Sequence, residues 1–161
     1  MNGLRKATYE DLPYLMEIFH KAKGIMRASG NLHQWNDSYP SEEIVRKDID
    51  DGNCFVLCKD SRIIATMAFI PGPDPTYAYI EGSWLNDEPY YVIHRIAAIE
   101  PGHKAAEVLL DWAFTRTSCI RIDTHKDNVI MHHILKKHGF THCGKILLAD
   151  GDPREAFQKN I

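Results

Sequence analysis

The stretch Tyr90–Phe114, YYVIHRIAAIEPGHKAAEVLLDWAF, carries the pattern that decides the fold. Its first ten residues are rich in β-branched and aromatic side chains, which predicts a strand over Tyr90–Ile99. Pro101 suits the first position of a helix, and Glu100 is placed to precede it as a cap. The next residues are apolar at helical spacing. They form one apolar helix face of Ala105, Val108, Leu109, Trp112 and Ala113.

Length and composition predict one soluble globular domain over residues 1–161. Hydrophobic residues make up 44% of the chain and charged residues 25%, which excludes a disordered or collagen-like protein. The formal net charge is −3, so the chain has no broad basic surface for neutralising phosphates, and we expect no nucleic-acid partner.

The sequence shows no apolar run of the kind found in a signal peptide or a membrane span. We therefore expect a cytoplasmic protein with no membrane partner. The four cysteines form no CxxC pair and are interpreted as reduced core thiols.

Turn and helix signals outside Tyr90–Phe114 predict the rest of the architecture. The order is strand, helix, helix, three strands, helix, strand, helix and two strands. Thr8 and Ser41 are predicted to open the first two helices, and a DGDP turn is predicted between the last two strands. This order implies an α/β fold, or α+β mixed sheet, with helices on both faces.

Two segments carry a resemblance to a known family. IHRIAAIEPGHKAAEVLLDWA is similar to the strand, pyrophosphate loop and helix that hold acetyl coenzyme A in the GCN5-related N-acetyltransferase (GNAT) superfamily. IRIDTHKDNVIMHHILKKHGF is similar to a later strand and helix of that family, and HQWNDSYPS to its substrate loop. The resemblance covers essentially the whole chain and implies a GNAT-like acyl-CoA N-acyltransferase fold, with acetyl-CoA as co-substrate.

The pyrophosphate loop departs from the family pattern because EPGHKAAE keeps one glycine and is shorter by about two residues in our alignment. A phosphate cradle needs free backbone N–H groups at a helix start, and glycine only where φ is positive or a methyl group would clash. We expect a tightened cradle, although an ordinary strand-to-helix turn is the alternative. The predicted cradle residues are Gly102, His103, Lys104, Ala105 and Ala106.

Acetyl transfer to an amine needs a base and an N–H group that polarises the thioester carbonyl. The resemblance places that N–H near Ile96, Ala97 or Ala98, beside a bulge. Strict alternation would put Val92, His94 and Ile96 on one face. His94 is the candidate base, with a core histidine as the alternative interpretation, and Glu81 acting through water is the second candidate. Histidine ordinarily has a pKa near neutral pH, and the resemblance implies that His94 lies close to the reactive end of the cofactor, whereas Glu81 is a carboxylate within an aromatic, strand-like run.

Further positions follow from the resemblance. The tyrosine that protonates the departing thiolate in many members aligns with Leu135, so that acid is absent here. Asn128 matches a residue that bonds the pantetheine arm, and simple helix capping is the alternative. Trp35 and Tyr39 are predicted to line the acceptor pocket. The histidines of the last third lack carboxylates at metal-ligand spacing, so no metal is predicted.

The resemblance therefore implies an N-acetyltransferase that moves an acetyl group from acetyl-CoA to the amine of a small molecule, an amino acid derivative or a peptide. The alternative is a non-catalytic acyl-CoA-binding or interaction module with the same fold, motivated by the short loop and Leu135. A third hypothesis is a fold retained for forming a homodimer alone.

Overall fold

The computed structural model describes residues 3–99 and 104–161. The cradle residues Gly102 and His103, and the helix start predicted at Pro101, lie outside these ranges. Four helices are present: α1 (Leu12–Ala28), α2 (Glu42–Asp50), α3 (Lys104–Ala113) and α4 (Val129–Lys137). The strands are β1 (Gly3–Lys6), β2 (Cys54–Lys59), β3 (Arg62–Pro71), β4 (Glu81–Gly82), β5 (Tyr91–Ala98), β6 (Cys119–Thr124), β7 (Thr141–Leu147) and β8 (Pro153–Asn160).

Local sequence signals predicted the start of α2 correctly and that of α1 approximately. Ser41 Oγ accepts the backbone N–H of Ile44 at 3.2 Å and caps α2. Thr8 precedes a 3₁₀ turn that leads into α1, so the first helix begins slightly later than its cap suggested. The Ser41 hydroxyl thereby satisfies an N–H group that has no partner within the helix.

All eight strands of the described residues form one sheet in the order β1-β2-β3-β5-β6-β8-β7-β4. Only β5 and β6 run parallel, and the other neighbours are antiparallel, which confirms the predicted mixed sheet. The short strand β4 approaches β7 closely, and a Cβ atom on Gly144 would lie 2.0 Å from the Glu81 carbonyl oxygen. Glycine is therefore required for β4 to pair at that edge.

Helices cover both faces of the sheet. One core cluster joins α3 and α4 to the sheet through residues such as Leu109, Leu135 and Ile122. A second cluster joins α1 and α2 to the other face through residues such as Leu15, Val45 and Val56. Because the two clusters bury opposite faces of the same strands, the central strands are fixed from both sides.

The parallel pair β5 and β6 separates after a short contact. The register pairs only Tyr91 with Ile120 and Val92 with Arg121 along the described strands. Arg95 lies in the left-handed region with φ of 52°, and the register between β3 and β5 shifts there. The result is a bulge that turns β5 away from β6.

The bulge also overturns the strict alternation predicted for this strand. Ile93 and Ile96 both pack with the core cluster beneath α3 and α4, whereas Ala97 packs with the cluster beneath α1 and α2. His94 and Ile96 therefore do not share a face. The physical reason is that a bulged residue adds one position to the strand and reverses the side-chain order beyond it.

Candidate active site

A cleft of about 610 Å³ opens where β5 and β6 separate. Its lining comes from both faces of the sheet, since the strands no longer close the gap between them. Apolar side chains from the α3 and α4 side are Ile93, Ile96, Ile122 and Met131. Acidic and basic side chains in the lining are Asp74, Arg95, Asp123, Asp150, Asp152 and Arg154, and the lining also includes His33 and His94.

His94 lies in this cleft with its side chain 25% exposed, and it pairs with a carboxylate. Its Nε2 atom is 2.8 Å from Asp74 Oδ2. Burial alone would raise the pKa of Asp74, but hydrogen bonds from His94 and Thr76 outweigh it and hold that pKa at about 2. Asp74 is therefore ionised at neutral pH and can only accept. It follows that His94 Nε2 carries a proton and donates it to Asp74.

A second carboxylate lies on the other side of the same ring. Asp123 Oδ2 is 4.0 Å from His94 Nδ1, too far for a hydrogen bond. The hydroxyl of the buried Tyr77 donates to that oxygen at 2.6 Å. Burial, and then the charge of Asp123, raise the pKa of Tyr77 well above its ordinary value, so the phenol keeps its proton. Asp123 is thereby held in place facing the imidazole.

The guanidinium of Arg95 extends from the bulge in β5 to α2. Its Nε and one terminal nitrogen donate to the two carboxylate oxygens of Asp48 at 2.7 and 2.8 Å. The other terminal nitrogen donates to the Tyr39 hydroxyl at 3.0 Å. This bidentate pair is almost fully buried and fixes the left-handed residue of β5 to the neighbouring helix.

Gln34 connects the α1–α2 segment to the start of α4. Its Oε1 atom accepts from the side chains of Asn31, Thr124 and Asn128 at 3.0, 3.2 and 2.9 Å. It also lies 3.3 Å from the backbone N–H of His125. Several donors thus converge on one amide oxygen, and the loop that carries Trp35 and Tyr39 is fixed over the cleft.

Replacing Gln34 by methionine should lower the free energy of unfolding by about 2 kcal/mol, because partly buried donors lose their acceptor. Gln34→Glu keeps an acceptor oxygen and should lose less. Urea denaturation followed by circular dichroism measures both. Equal losses for the two variants would show that the converging hydrogen bonds do not stabilise the loop.

Asn128 caps α4 in this structure. Its Oδ1 atom accepts the backbone N–H of Met131 at 3.0 Å, and its Nδ2 atom donates to Gln34. The side chain is also part of the cleft lining. Its capping role is therefore observed, and a contact with the pantetheine arm stays a prediction.

Some of the other predicted site residues line the cleft and some do not. Glu81 is exposed on β4, and three strands separate β4 from β5, so the structure does not bring this second candidate base to the cleft. Ile96 lines the cleft, and Ala97 and Ala98 continue β5 beside it. Trp35 and Tyr39 both line it, although Trp35 is largely buried against Phe19.

The predicted cradle is described only from Lys104 onward. Lys104 is exposed and is the first described residue of α3. Ala105 and Ala106 are buried in the core beneath α3, so their methyl groups pack against the protein and do not form an open surface. Leu135 is fully buried in the same core.

Sequence reasoning missed Asp74, Asp123 and Arg154. Asp123 had a usable signal, since an acidic residue at the carboxyl end of an apolar strand is typical of a site. Asp74 lies in PGPDPT, where the composition indicates only a turn.

Over the described ranges, no helix is both long and apolar enough to cross a membrane. Within those ranges no cluster of three or more histidine, cysteine or acidic side chains suits a metal ion.

Comparison with known proteins agrees with this geometry. The model of the Acetyltransferase (GNAT) family matches residues 12–140. A crystal structure of a GNAT-family acetyltransferase from Streptococcus agalactiae has 32% identity and a TM-score of 0.91, covering 99% of this chain and 95% of that one. A search of curated proteins gave no significant match.

More distant structures share the fold alone. A GNAT-family acetyltransferase from Bacillus cereus has 21% identity and a TM-score of 0.67, covering 99% of this chain and 97% of that one. A ribosomal-protein-alanine N-acetyltransferase from Brucella melitensis has 18% identity and a TM-score of 0.65, covering 99% of each chain. With the family match over most of its length, the chain belongs to the GNAT family and is an acetyltransferase.

Proposed function

We propose that this acetyltransferase moves an acetyl group from acetyl-CoA to the amine of a small molecule, an amino acid derivative or a peptide, by direct attack in a ternary complex. The observation that carries the proposal is the position of His94 between two carboxylates, in a cleft where β5 and β6 separate. The cleft has an apolar side and a charged side, which suits two different substrates meeting within one gap.

His94 is the proposed base because its two ring nitrogens have different environments. Nε2 donates to the ionised Asp74, so in the neutral form of the ring the lone pair is on Nδ1. Nδ1 has no hydrogen-bond partner among the described residues, and it faces the cleft beside Asp123. An imidazole nitrogen held in this way is ready to accept a proton from an ammonium group.

Asp123 is proposed to hold the acceptor ammonium while His94 removes its proton. The two atoms that face each other are 4.0 Å apart. A nitrogen atom can therefore lie about 2.9 Å from both of them and donate one hydrogen bond to each. The ammonium would be attracted by the carboxylate and deprotonated by the imidazole at the same place.

The residues of the cleft fit the acyl-bearing arm of acetyl-CoA. Ile93, Ile96, Ile122 and Met131 form an apolar wall, and the edge of β5 beyond Val92 has backbone groups that no longer pair with β6. One backbone N–H on this edge, near Ile96, Ala97 or Ala98, is the proposed donor to the thioester carbonyl oxygen. The predicted phosphate-binding residues are Gly102, His103 and the backbone around Lys104, Ala105 and Ala106.

The proposed transfer balances in protons and bonds. One proton of the acceptor ammonium passes to His94 Nδ1 and then to solvent. The acceptor nitrogen forms a bond to the acetyl carbon as the bond from that carbon to sulfur breaks. The second proton leaves the nitrogen and finally resides on the sulfur. A thiol has an ordinary pKa of about 8.5, so the thiolate can leave without a dedicated tyrosine.

Release of free thiol from acetyl-CoA in the presence of an amine panel tests the proposed function. We expect at least one primary amine to increase thiol release above the rate without amine, with the acetylated product confirmed by mass spectrometry. Acetyl-CoA should also raise the melting temperature, by an amount that increases with the logarithm of its concentration above Kd. Binding of acetyl-CoA without amine-dependent release from any acceptor would contradict the transferase proposal.

A further inference from the structure

We propose that the acceptor carries an oxyanion group, a carboxylate or a phosphate, in addition to its amine, and that Arg154 binds that group. The inference rests on the proposed function, since it concerns the acceptor of the same cleft. It narrows the acceptor class from amines in general to amines with an anionic group.

Arg154 is a buried cation in the cleft lining with a weak counterion. Its side chain is 5% exposed, and its terminal nitrogens donate to the backbone carbonyl oxygens of Pro153 and Gln34 at 2.9 and 3.2 Å. The nearest carboxylate in the described residues is that of Asp152, 3.8 Å away and 57% exposed. That distance is beyond a hydrogen bond.

Arg95, in the same cleft, is a guanidinium whose charge is paired with a buried carboxylate. It contacts Asp48 through two short hydrogen bonds, and both side chains are about equally buried. Buried charges are normally paired in this manner, because an uncompensated charge is costly to remove from water. Arg154 therefore has spare capacity for an anion, and Arg95 does not.

The buried charges of the cleft are separated into two poles. Asp74 and Asp123 surround the His94 ring and form a negative pole that attracts an ammonium. Arg154 forms the positive pole, and its charge also reaches His125, whose pKa is lowered first by burial and then by Arg154. A molecule with an amine and an oxyanion matches both poles at once.

Strand pairing places the two poles on one face of the sheet at a defined separation. Asp123 on β6 lies directly opposite Ala156 on β8, and Arg154 precedes Ala156 by two residues. Residues two apart on a strand share a face, and they are about 7 Å apart along it. The amine and the oxyanion would thus be bound by residues of different strands. The test therefore varies the number of bonds between these two groups of the acceptor.

The acidic residues at the rim do not cancel this positive pole. Asp150 and Asp152 belong to the turn between β7 and β8, where Asp150 Oδ1 accepts the backbone N–H of Asp152. Both are exposed, so solvent screens their charges far more than that of the buried Arg154. Asp152 acts instead as a weak counterion that an acceptor oxyanion displaces.

A series of linear amines with terminal carboxylates tests the inference. The series runs from glycine through β-alanine and 4-aminobutyrate to 6-aminohexanoate, each compared with its carboxamide, and aminoalkyl phosphates of the same lengths form a second arm. We expect kcat/KM for the best acid to exceed that of its amide by about 10- to 100-fold, the range of one hydrogen-bonded charge.

Arg154→Gln should remove this preference by lowering kcat/KM for the acid, while turnover of the amide changes less than about threefold. Retained turnover of the amide also shows that the variant folds. Asp152→Asn should raise kcat/KM for the acid by up to about fivefold, the scale of an exposed ion pair. Arg46→Gln, an exposed arginine of α2 outside the cleft lining, is the matched control and should change nothing.

Failure of this inference is distinguishable from failure of the proposed function. Equal turnover of acids and amides by the unmodified enzyme, or equal losses for both in Arg154→Gln, would overturn the oxyanion site. If no amine is acetylated, the transferase proposal fails. Calorimetry in the presence of CoA then measures whether Arg154 binds the anionic group, by comparing the affinity for each acid with that for its amide. Tighter binding of an acid than of its amide then supports the site, and its absence overturns it.

Discussion

Replacing His94 by alanine is expected to lower kcat by about 10²- to 10⁴-fold, the usual contribution of a positioned base. The KM for acetyl-CoA should change little, because the imidazole lies on the charged side of the cleft with Asp74 and Asp123. Thiol release under saturating acetyl-CoA measures the loss, and a thermal melt confirms that the variant folds.

Two further variants distinguish a catalytic role of His94 as a base from a purely structural role in packing. Asp74→Asn should lower kcat by about tenfold or more without removing the imidazole, since the ring loses the ionised partner that fixes its tautomer. His142→Ala is the matched control, because His142 also pairs with a carboxylate, Glu155 at 3.1 Å, but lies outside the cleft lining. It should leave kcat unchanged.

The competing base assignment is tested in the same assay. Glu81→Gln should leave kcat within about twofold of the unmodified enzyme, because β4 lies at the opposite edge of the sheet from β1 and is separated from β5. If Glu81→Gln lost activity while His94→Ala kept more than a tenth of it, the assignment of the base to His94 would be wrong.

The fold was predictable because each element carries its own local signal. Ser41 caps α2, Asn128 caps α4, and the alternating and helical patterns of Tyr90–Phe114 produce β5 and α3. These signals depend on neighbours three or four residues away, so one sequence is enough to recognise them. The resulting order of elements, together with two sequence segments, then carried the resemblance to the GNAT superfamily.

The site was only partly predictable because its geometry depends on contacts distant in sequence. His94 was found from its strand, but Asp74 and Asp123, 20 residues before it and 29 after it, were not recognised as its partners. The positive φ of Arg95 has no local signal either, since arginine rarely adopts that conformation. Strict alternation failed for that reason, and no periodicity rule anticipates a bulge held by Asp48 from another element.

Replacing Asp48 by alanine is expected to lower the free energy of unfolding by about 3–5 kcal/mol, the usual cost of leaving one member of a buried ion pair alone. Arg95 would retain its charge and its burial and would lose two hydrogen bonds of 2.7 and 2.8 Å. For a domain of this size the melting temperature should fall by roughly 10 °C. Urea denaturation and calorimetry measure the two quantities.

Asp51→Ala is the matched control on the same helix end, because its exposed pair with Lys47 should contribute only about 0.5 kcal/mol or less. The double variant Asp48→Leu with Arg95→Met should be more stable than Asp48→Ala alone, because both charges leave together. A loss below about 1 kcal/mol in Asp48→Ala would show that water replaces the carboxylate at Arg95.

The same substitution should also reduce catalysis, although Asp48 does not line the cleft. A left-handed backbone costs a non-glycine residue about 1–2 kcal/mol, and the bidentate contact with Asp48 offsets that cost at Arg95. Without the contact, β5 is free to relax toward regular pairing, which would move His94 and narrow the gap from β6. We therefore expect kcat of Asp48→Ala to fall below that of Asp51→Ala at a temperature where both remain folded. Equal kcat values would show that the bulge persists without its anchor.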